Sequence, residues 1–515
     1  MLREARVAVS VALFSLITFY FIDFAGLMSG DAANLLARMQ LVPAALTASF
    51  AMLAGLAVLT LLLGRVYCSS ICPMGVYQDA VAWLSKRVAK RKKRYKFGKA
   101  KTVLRVSMLA VALAIFLKFP LVSGLIDPYS AYGRIAANIF RPAYMLGNNA
   151  LATVFMHFGS YTFYKTDVFI ASVFSFAVAL LTMMLVGYLA WRHGRTYCNT
   201  VCPVGTALGF LSRFSIFKIR IDASKCNSCG VCEMRCKAAC INSKQHTIDS
   251  SRCVGCFSCM GVCRRNCLTF SPALPLGKAA TAREGSPAAG NAVDGGRRRF
   301  LTAGVAAAAA APAAMAGERA GSPTGATRYT RQHPILPPGA VSTDNMLRHC
   351  TSCHLCVSKC PSQVLKPAFL EYGLAGIMQP TMDFEKGFCN YDCTICSEVC
   401  PSDAIKRLTK EEKHLNQGGH VVLNRDICVV PTEEVSCGAC SEHCPTQAVT
   451  MIPYKNGLTI PHINTEICIG CGGCEFICPV RPFRAIYIEG HAVQSKAKPF
   501  EEQKKEEKEI DSFGF

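Results

Sequence analysis

The spacing of its cysteines constrains this chain more than any other feature. Thirty Cys occur in 515 residues, and 24 of them fall into six runs of four. Cys226, Cys229, Cys232 and Cys236 form one C-x2-C-x2-C-x3-C run, and Cys253, Cys256, Cys259 and Cys263 form a second. Four more runs follow, each closed by a Pro: Cys350, Cys353, Cys356, Cys360; Cys389, Cys393, Cys396, Cys400; Cys428, Cys437, Cys440, Cys444; and Cys468, Cys471, Cys474, Cys478. Disulfide scaffolds belong to short secreted domains with thiols scattered through loops, whereas clustered thiols in a long chain point to metal. Three thiolates of such a run hold one iron–sulfur cluster and the fourth reaches its neighbour, while zinc sites usually part their ligand pairs by a longer loop. The expectation is six [4Fe–4S] clusters, with neither haem nor flavin.

By the crossover rule, the first two runs pair as Cys226, Cys229, Cys232 with Cys263, and Cys253, Cys256, Cys259 with Cys236. Among the later runs the first and fourth are regular and the middle two stretched, which predicts a nested pairing, first with fourth and second with third. Lys237 and Arg264 stand where Pro ordinarily follows the fourth Cys, and extra thiols, Cys240 and Cys267, lie four residues beyond it in both repeats. They read as spare thiols, with a role as alternative fourth ligands the other option. Cys350-Thr351-Ser352-Cys353-His354 also fits the C-x-x-C-H haem attachment motif, but haem would strand Cys356 and Cys360. Thr324-Gly325-Ala326-Thr327 resembles a flavin attachment motif in a stretch with no flavin-sized domain around it.

Hydrophobic residues make up 51% of the chain and charged ones 17%, a balance that disfavours a wholly soluble or disordered protein. Apolar stretches at roughly 7–28, 41–63, 103–126 and 168–191 predict four membrane-spanning helices. The net charge of +22 arises in the first half, where residues 1–270 hold 31 Lys+Arg against 9 Asp+Glu. These cations flank apolar stretches, so they orient helices rather than bind nucleic acid. The basic loop KRVAKRKKRYKFGKAK puts both ends of the four-helix unit on the cytoplasmic side, and the loop 127–167 outside. Asp23, Asp127, Arg141 and His157 are polar groups near its outer helix ends, none of them a legible quinone site.

GRVYCSSICPMG at 64–75 recurs as GRTYCNTVCPVG at 194–205. Two helix pairs therefore look duplicated about an axis along the membrane normal. The repeat carries the last four thiols, Cys68, Cys72, Cys198 and Cys202, which are open to three roles: a cluster, a single iron, or redox-active or structural thiols. After residue 271 a Pro-, Gly- and Ala-rich linker leads to Arg297, Arg298, Phe300 and Leu301 and an Ala-rich stretch ending Ala314-Met315-Ala316, the pattern of twin-arginine export. That pathway carries folded proteins, as loading clusters before export demands.

The resulting organisation is an α-helical membrane unit over 1–215, then α+β bacterial-type ferredoxin domains: a cytoplasmic two-cluster ferredoxin over 216–271 and an exported four-cluster domain over 341–490. The linker and signal, or fifth transmembrane segment, occupy 272–340, and a charged tail 491–515. Residues 55–270, with the paired C-x3-C-P motifs and two-cluster ferredoxin, resemble the NapH-type quinol dehydrogenase membrane component of periplasmic nitrate reduction systems. Residues 296–490 resemble its NapG-type exported partner, through the twin arginines, the LPPGA stretch at 336–340, the four cluster runs and the ending CPVRPFRAIYIEG. The resemblance implies a bacterial inner-membrane protein moving electrons from membrane quinol towards a periplasmic cytochrome or reductase. Two other roles stay open: an assembly or regulatory polyferredoxin that maintains another metalloenzyme, and an electron-delivering subunit of a larger oxidoreductase.

Overall fold

The computed structural model describes residues 2–28, 30–88, 95–118, 124, 126–168, 170–272 and 331–499. The linker, the twin-arginine stretch, the Thr324–Thr327 motif and the tail beyond 499 lie outside them. The chain divides into two compact units. Among the described residues the first comprises everything up to 272 together with Leu347–Leu355 and Pro367–Gln379, and the second comprises the remainder.

Two helices of the first unit, Leu2–Ile22 and Val173–His193, are long and apolar enough to cross a membrane by length and composition, and only 22% of each apolar window is buried. The second expected span is not one helix. Leu41–Leu46 stops at Thr47, Ala48 takes φ 49°, and Phe50–Leu63 then runs for 14 residues, about 21 Å at 1.5 Å per residue. Thr102–Lys118 is also shorter than a full span. In the loop 127–167, Asp127 caps the buried helix Pro128–Ile135 by accepting from Ser130 N at 2.8 Å, and the helix Arg141–His157 follows.

The sequence repeat is a structural one. Phe50–Leu63 and Val173–His193 end at Gly64 and Gly194, whose φ values of 74° and 68° suit glycine alone. An Arg, a one-turn helix carrying the first Cys (Val66–Ser70, Thr196–Thr200), the second Cys and a Pro-initiated helix (Pro73–Val88, Pro203–Leu211) follow in each. Pro suits the first turn because its missing N–H has no partner there anyway.

Against this end of the repeat packs a small ferredoxin fold. Phe217–Ile221 pairs antiparallel with Leu268–Pro272, and Ile241–Asn242 with Thr247–Ile248, over a core of Ile219, Ile241, Phe257, Leu268 and the cysteines themselves. The second unit is built on two antiparallel pairs, Asn416–Leu423 with Ile486–Lys496 and Val449–Pro453 with Thr459–Ile463.

Candidate iron–sulfur sites

Five of the six runs end in the same local device. Ala239, Asn266, Gln363, Asp403 and Gln447, three residues after the fourth Cys of five runs, all have φ near 50°. In four of them the backbone N–H donates to that cysteine's carbonyl at 3.1–3.3 Å, as in Ala239 to Cys236 and Gln447 to Cys444. The tight turn folds the fourth thiol back, away from its own run. It forms after Lys237 and Arg264 as it does after Pro, so the missing prolines leave the geometry unchanged.

In the ferredoxin fold of the first unit, Cys232 lies beside Cys226 and Cys229, and Cys267 beside Cys263 and Cys226. Cys259 is grouped with Cys256, Cys253 and Cys236. The thiols are thus grouped in the crossed pattern, and Cys236, Cys253, Cys256 and Cys259 line one cavity with Ile219, Ile241, Val254 and Phe257. The extra thiols stand against the fourth ligands: Cys240 Sγ is 3.5 Å from Cys236 Sγ, and Cys267 Sγ is 3.1 Å from Cys263 Sγ.

The second unit corrects the nested pairing. Cys389 and Cys396 lie beside Cys393 and Cys360; Cys440 beside Cys437, Cys428 and Cys478; Cys474 beside Cys471, Cys468 and Cys444. The second run is therefore grouped with the fourth thiol of the first, and the third and fourth runs each stand beside the other's fourth thiol. Cys350 and Cys353 belong to the first unit, and Cys356 and Cys400 to the second.

These quartets suit a cationic cluster core. Burial first, and then the neighbouring thiols, push Cys440 and Cys471 up to about 12, and hold Cys259 well above the usual thiol range. Four crowded thiols cannot ionise together unless positive charge sits among them. Among the described residues no group of three or more His, Cys, Asp or Glu is placed to hold a single metal ion. One cation already contributes: burial raises Cys389, the Lys413 ammonium opposes that, and the balance stands at about 11. Lys413 is itself buried, and its ammonium donates to Asn390 O.

His354 of the C-x-x-C-H motif is occupied structurally. Its Nδ1 lies 3.1 Å from Asn138 Nδ2 and 3.4 Å from Ser175 Oγ, and its Nε2 lies 3.0 Å from Met378 O. Both ring nitrogens of His354 are engaged in these contacts. Of the polar groups near helix ends, Asp23 accepts from Leu27 N and Met28 N, Arg141 is buried, and His157 closes its helix.

The repeat thiols Cys68, Cys72, Cys198 and Cys202 are all buried, and each of Cys72 and Cys202 lies within electrostatic reach of the other repeat's thiols. Arg65 and Arg195, invisible as site residues in a sequence read for cysteines, cross over between repeats. Arg65 Nη2 reaches Cys198 O at 3.1 Å, and Arg195 Nη1 reaches Cys68 O at 2.7 Å. Their signal was the repeat itself, which carries GR-x-Y-C twice. Gly75 and Gly205 are fixed by the same crossing, since a Cβ on either would lie 2.1–2.2 Å from the carbonyl of Cys68 or Cys198. Asp79 has no counterpart in the motif, yet it accepts from Arg195 Nε at 2.9 Å and meets Lys237 Nζ at 3.2 Å and Arg6 Nη1 at 3.1 Å.

Fold and sites together define an iron–sulfur protein of the ferredoxin type, whose work is electron transfer. A model described as a 4Fe-4S binding domain matches residues 45–92 and 169–222, and models described as 4Fe-4S dicluster domains match residues 249–364 and 435–481. Relatives include the ferredoxin-type protein NapF of Escherichia coli K12, 28% identical over 30% of this chain and 87% of its own length. The ferredoxin-type protein NapG of the same strain is 30% identical over 28% of this chain and 65% of its own length. The methylamine utilization ferredoxin-type protein MauM of Methylorubrum extorquens AM1 is 28% identical over 35% of this chain and 84% of its own length. No solved structure matches.

Proposed function

We propose that this chain is a membrane-bound electron carrier that takes electrons from a membrane quinol and delivers them to a periplasmic cytochrome or reductase. In this reading one polypeptide joins a NapH-type membrane component, with its cytoplasmic ferredoxin at 216–271, to a NapG-type ferredoxin at 341–490 exported across the bacterial inner membrane. Six [4Fe–4S] clusters are held by the 24 run cysteines. Bound there, they supply one-electron transfer, which draws on a two-electron quinol in single steps. The chain's own part is to hold each thiol set in its own surround, from exposed at Cys229 to buried at Cys440 and Cys474, which sets its potential.

The observation that carries the reading lies along the helix Val173–His193. Near its first turn Ser175 Oγ is 3.4 Å from His354 Nδ1, next to Cys353. Just past its last turn Arg195 N donates to Lys237 O at 3.0 Å, next to Cys236. Twenty-one residues at 1.5 Å each separate those ends by about 31 Å, the thickness of a bilayer's hydrocarbon core. A ferredoxin segment at either end of a membrane-length helix is what transfer across a bilayer requires.

The test is reduction of the purified full chain by menaquinol in liposomes, followed by cluster absorbance. Bleaching of the clusters is the expected result. Intact clusters that menaquinol leaves oxidised would overturn the quinol reading and move the assembly or regulatory role ahead of it.

A further inference from the structure

We propose that Cys68, Cys72, Cys198 and Cys202 together hold one further iron–sulfur cluster, shared by the two repeats, which relays electrons between the inner ferredoxin and the segment carrying Cys350 and Cys353. The inference deepens the proposed function and rests on it for the direction of flow.

Charge is the first argument. Arg65 is fully buried, and its partners among the described residues are neutral oxygens (Asn199 Oδ1 at 2.7 Å, Ser251 O at 3.0 Å, Cys198 O at 3.1 Å) and Cys68 Sγ at 3.7 Å. Its Nε has no partner. Arg195 is satisfied by Asp79 on one edge, but its Nη1 turns to Cys198 Sγ at 3.8 Å. A buried guanidinium without a carboxylate is costly unless an anion faces it, and the thiols are the groups it faces. Two arginines in symmetric positions over four thiols fit a cluster ligated by four thiolates, whose complete unit is anionic.

Donors aimed at sulfur are the second argument. Gln78 Nε2 lies 3.1 Å from Cys198 Sγ, and Gly205 N donates to Cys202 Sγ at 3.3 Å. Hydrogen bonds to ligand sulfurs are among the levers that tune such sites. Because Gln78 stands on the helix Pro73–Val88 that Cys72 precedes and reaches the other repeat's thiol, neither repeat makes a site alone, although each matches a 4Fe-4S binding model.

Position is the third. On one side the Arg65 side chain joins Cys68 Sγ to Ser251 O, two residues before Cys253. On the other, Tyr197, adjacent to Cys198, donates from its hydroxyl to Ile126 O at 3.0 Å. Two residues before Ile126, Gly124 O accepts from Arg134 Nη1 at 3.3 Å, and the same Nη1, carried on the buried helix Pro128–Ile135, donates to Ser352 O at 3.2 Å, where Ser352 precedes Cys353. The four-thiol site thus lies on a continuous bonded path between the two ferredoxin segments at the ends of the Val173–His193 helix. It supplies a stepping point where a single tunnelling jump would have to span the hydrocarbon. Each step moves one electron and no atom.

Anaerobically prepared wild type should hold about 28 irons with matching acid-labile sulfide, four per cluster over seven clusters, by iron analysis and Mössbauer spectroscopy. Cys72→Ser and Cys202→Ser, one from each repeat, should each lose the iron of a single cluster, and the double variant should lose no more than either. A wild-type count of about 24, or additive loss in the double variant, would overturn the shared site, whatever the folding of the variants. For the relay, a membrane-impermeant reductant is applied to the inner ferredoxin side of proteoliposomes. Reduction of the outer clusters should slow at least tenfold in Cys72→Ser, and an unchanged rate would refute the relay. The iron count does not depend on quinol, so its failure is distinct from failure of the proposed function.

Discussion

The Lys237 ammonium lies 3.2 Å from the Asp79 carboxylate, on the same oxygen that the Arg195 guanidinium meets at 2.9 Å. Lys237 occupies the position after Cys236 where Pro is usual, and the turn that Pro would support forms without it. The substitution therefore serves the joint between the ferredoxin and the repeat, because Asp79 belongs to the helix that begins at Pro73.

Removing that carboxylate should loosen the joint. Burial alone would raise the Asp79 pKa, but Arg195, Lys237 and Arg6 outweigh it and hold the group well below the ordinary carboxylate range. A depressed folded pKa means that the stabilisation is complete above the unfolded value and is lost only as pH falls through the folded one. Between pH 5 and 8 the contribution should be constant. Asp79→Asn leaves buried cations uncompensated, at a cost of about 3–5 kcal/mol. The expected readout is earlier thermal bleaching of the inner clusters with the outer ones unmoved, and an unchanged bleaching temperature would contradict it.

The extra thiols offer a second test. Cys240 and Cys267 each touch the fourth ligand of a complete quartet, so Cys240→Ser and Cys267→Ser should keep the full iron complement. Cys236→Ser and Cys263→Ser should each lose one cluster. Loss of a cluster in Cys240→Ser would show that this thiol, rather than Cys236, is the ligand.

Lys413 provides a third. Its buried ammonium stands beside Cys389, and removing a positive charge next to a site favours that site's oxidised form. Lys413→Met should keep all iron while shifting one cluster's midpoint to more negative potential, seen by redox titration with electron paramagnetic resonance. An unmoved titration would refute the electrostatic role.

The grouping of thiols such as Cys253, Cys256 and Cys259 was legible because thiol spacing is chemistry written directly in sequence. The pairing of runs in the second unit was not, because stretched spacing does not dictate a partner. The long Cys428–Cys437 gap is absorbed locally by a one-turn helix, Val429–Glu433, which Glu434 ends in the left-handed region at φ 53°. The second apolar stretch looked like one helix because hydropathy is blind to the left-handed Ala48 that divides it. Arg65, Arg195 and Asp79 escaped notice for a different reason: their role depends on which chain segments meet, and a two-fold crossing between residues more than a hundred positions apart leaves no local pattern.

Export should depend on the twin arginines. Replacing Arg297 and Arg298 by Lys should leave the 341–490 domain inside, protected from protease added to intact spheroplasts, while the helical unit still inserts. Digestion equal to wild type would refute the twin-arginine reading. The mass of the exported fragment also separates cleavage after Ala316 from retention as a further anchor.

The final prediction concerns the inner ferredoxin's place on the route. Cys256 is half-buried and grouped with Cys253, Cys259 and Cys236 in the site nearest the repeat, and its thiol lies within electrostatic reach of Asp79. Cys256→Ser should cost that one cluster while the spectra of the outer sites persist, because their thiols come from other runs. If electrons pass through this ferredoxin on their way outward, the outer sites of the variant should be reduced by menaquinol at least tenfold more slowly than in wild type. Equal rates would put the ferredoxin off the path. Its packing on the repeat through Lys237, Asp79 and Arg65 would then serve to report the cytoplasmic redox state to the membrane site, or to admit electrons from a soluble donor, rather than to conduct those of quinol.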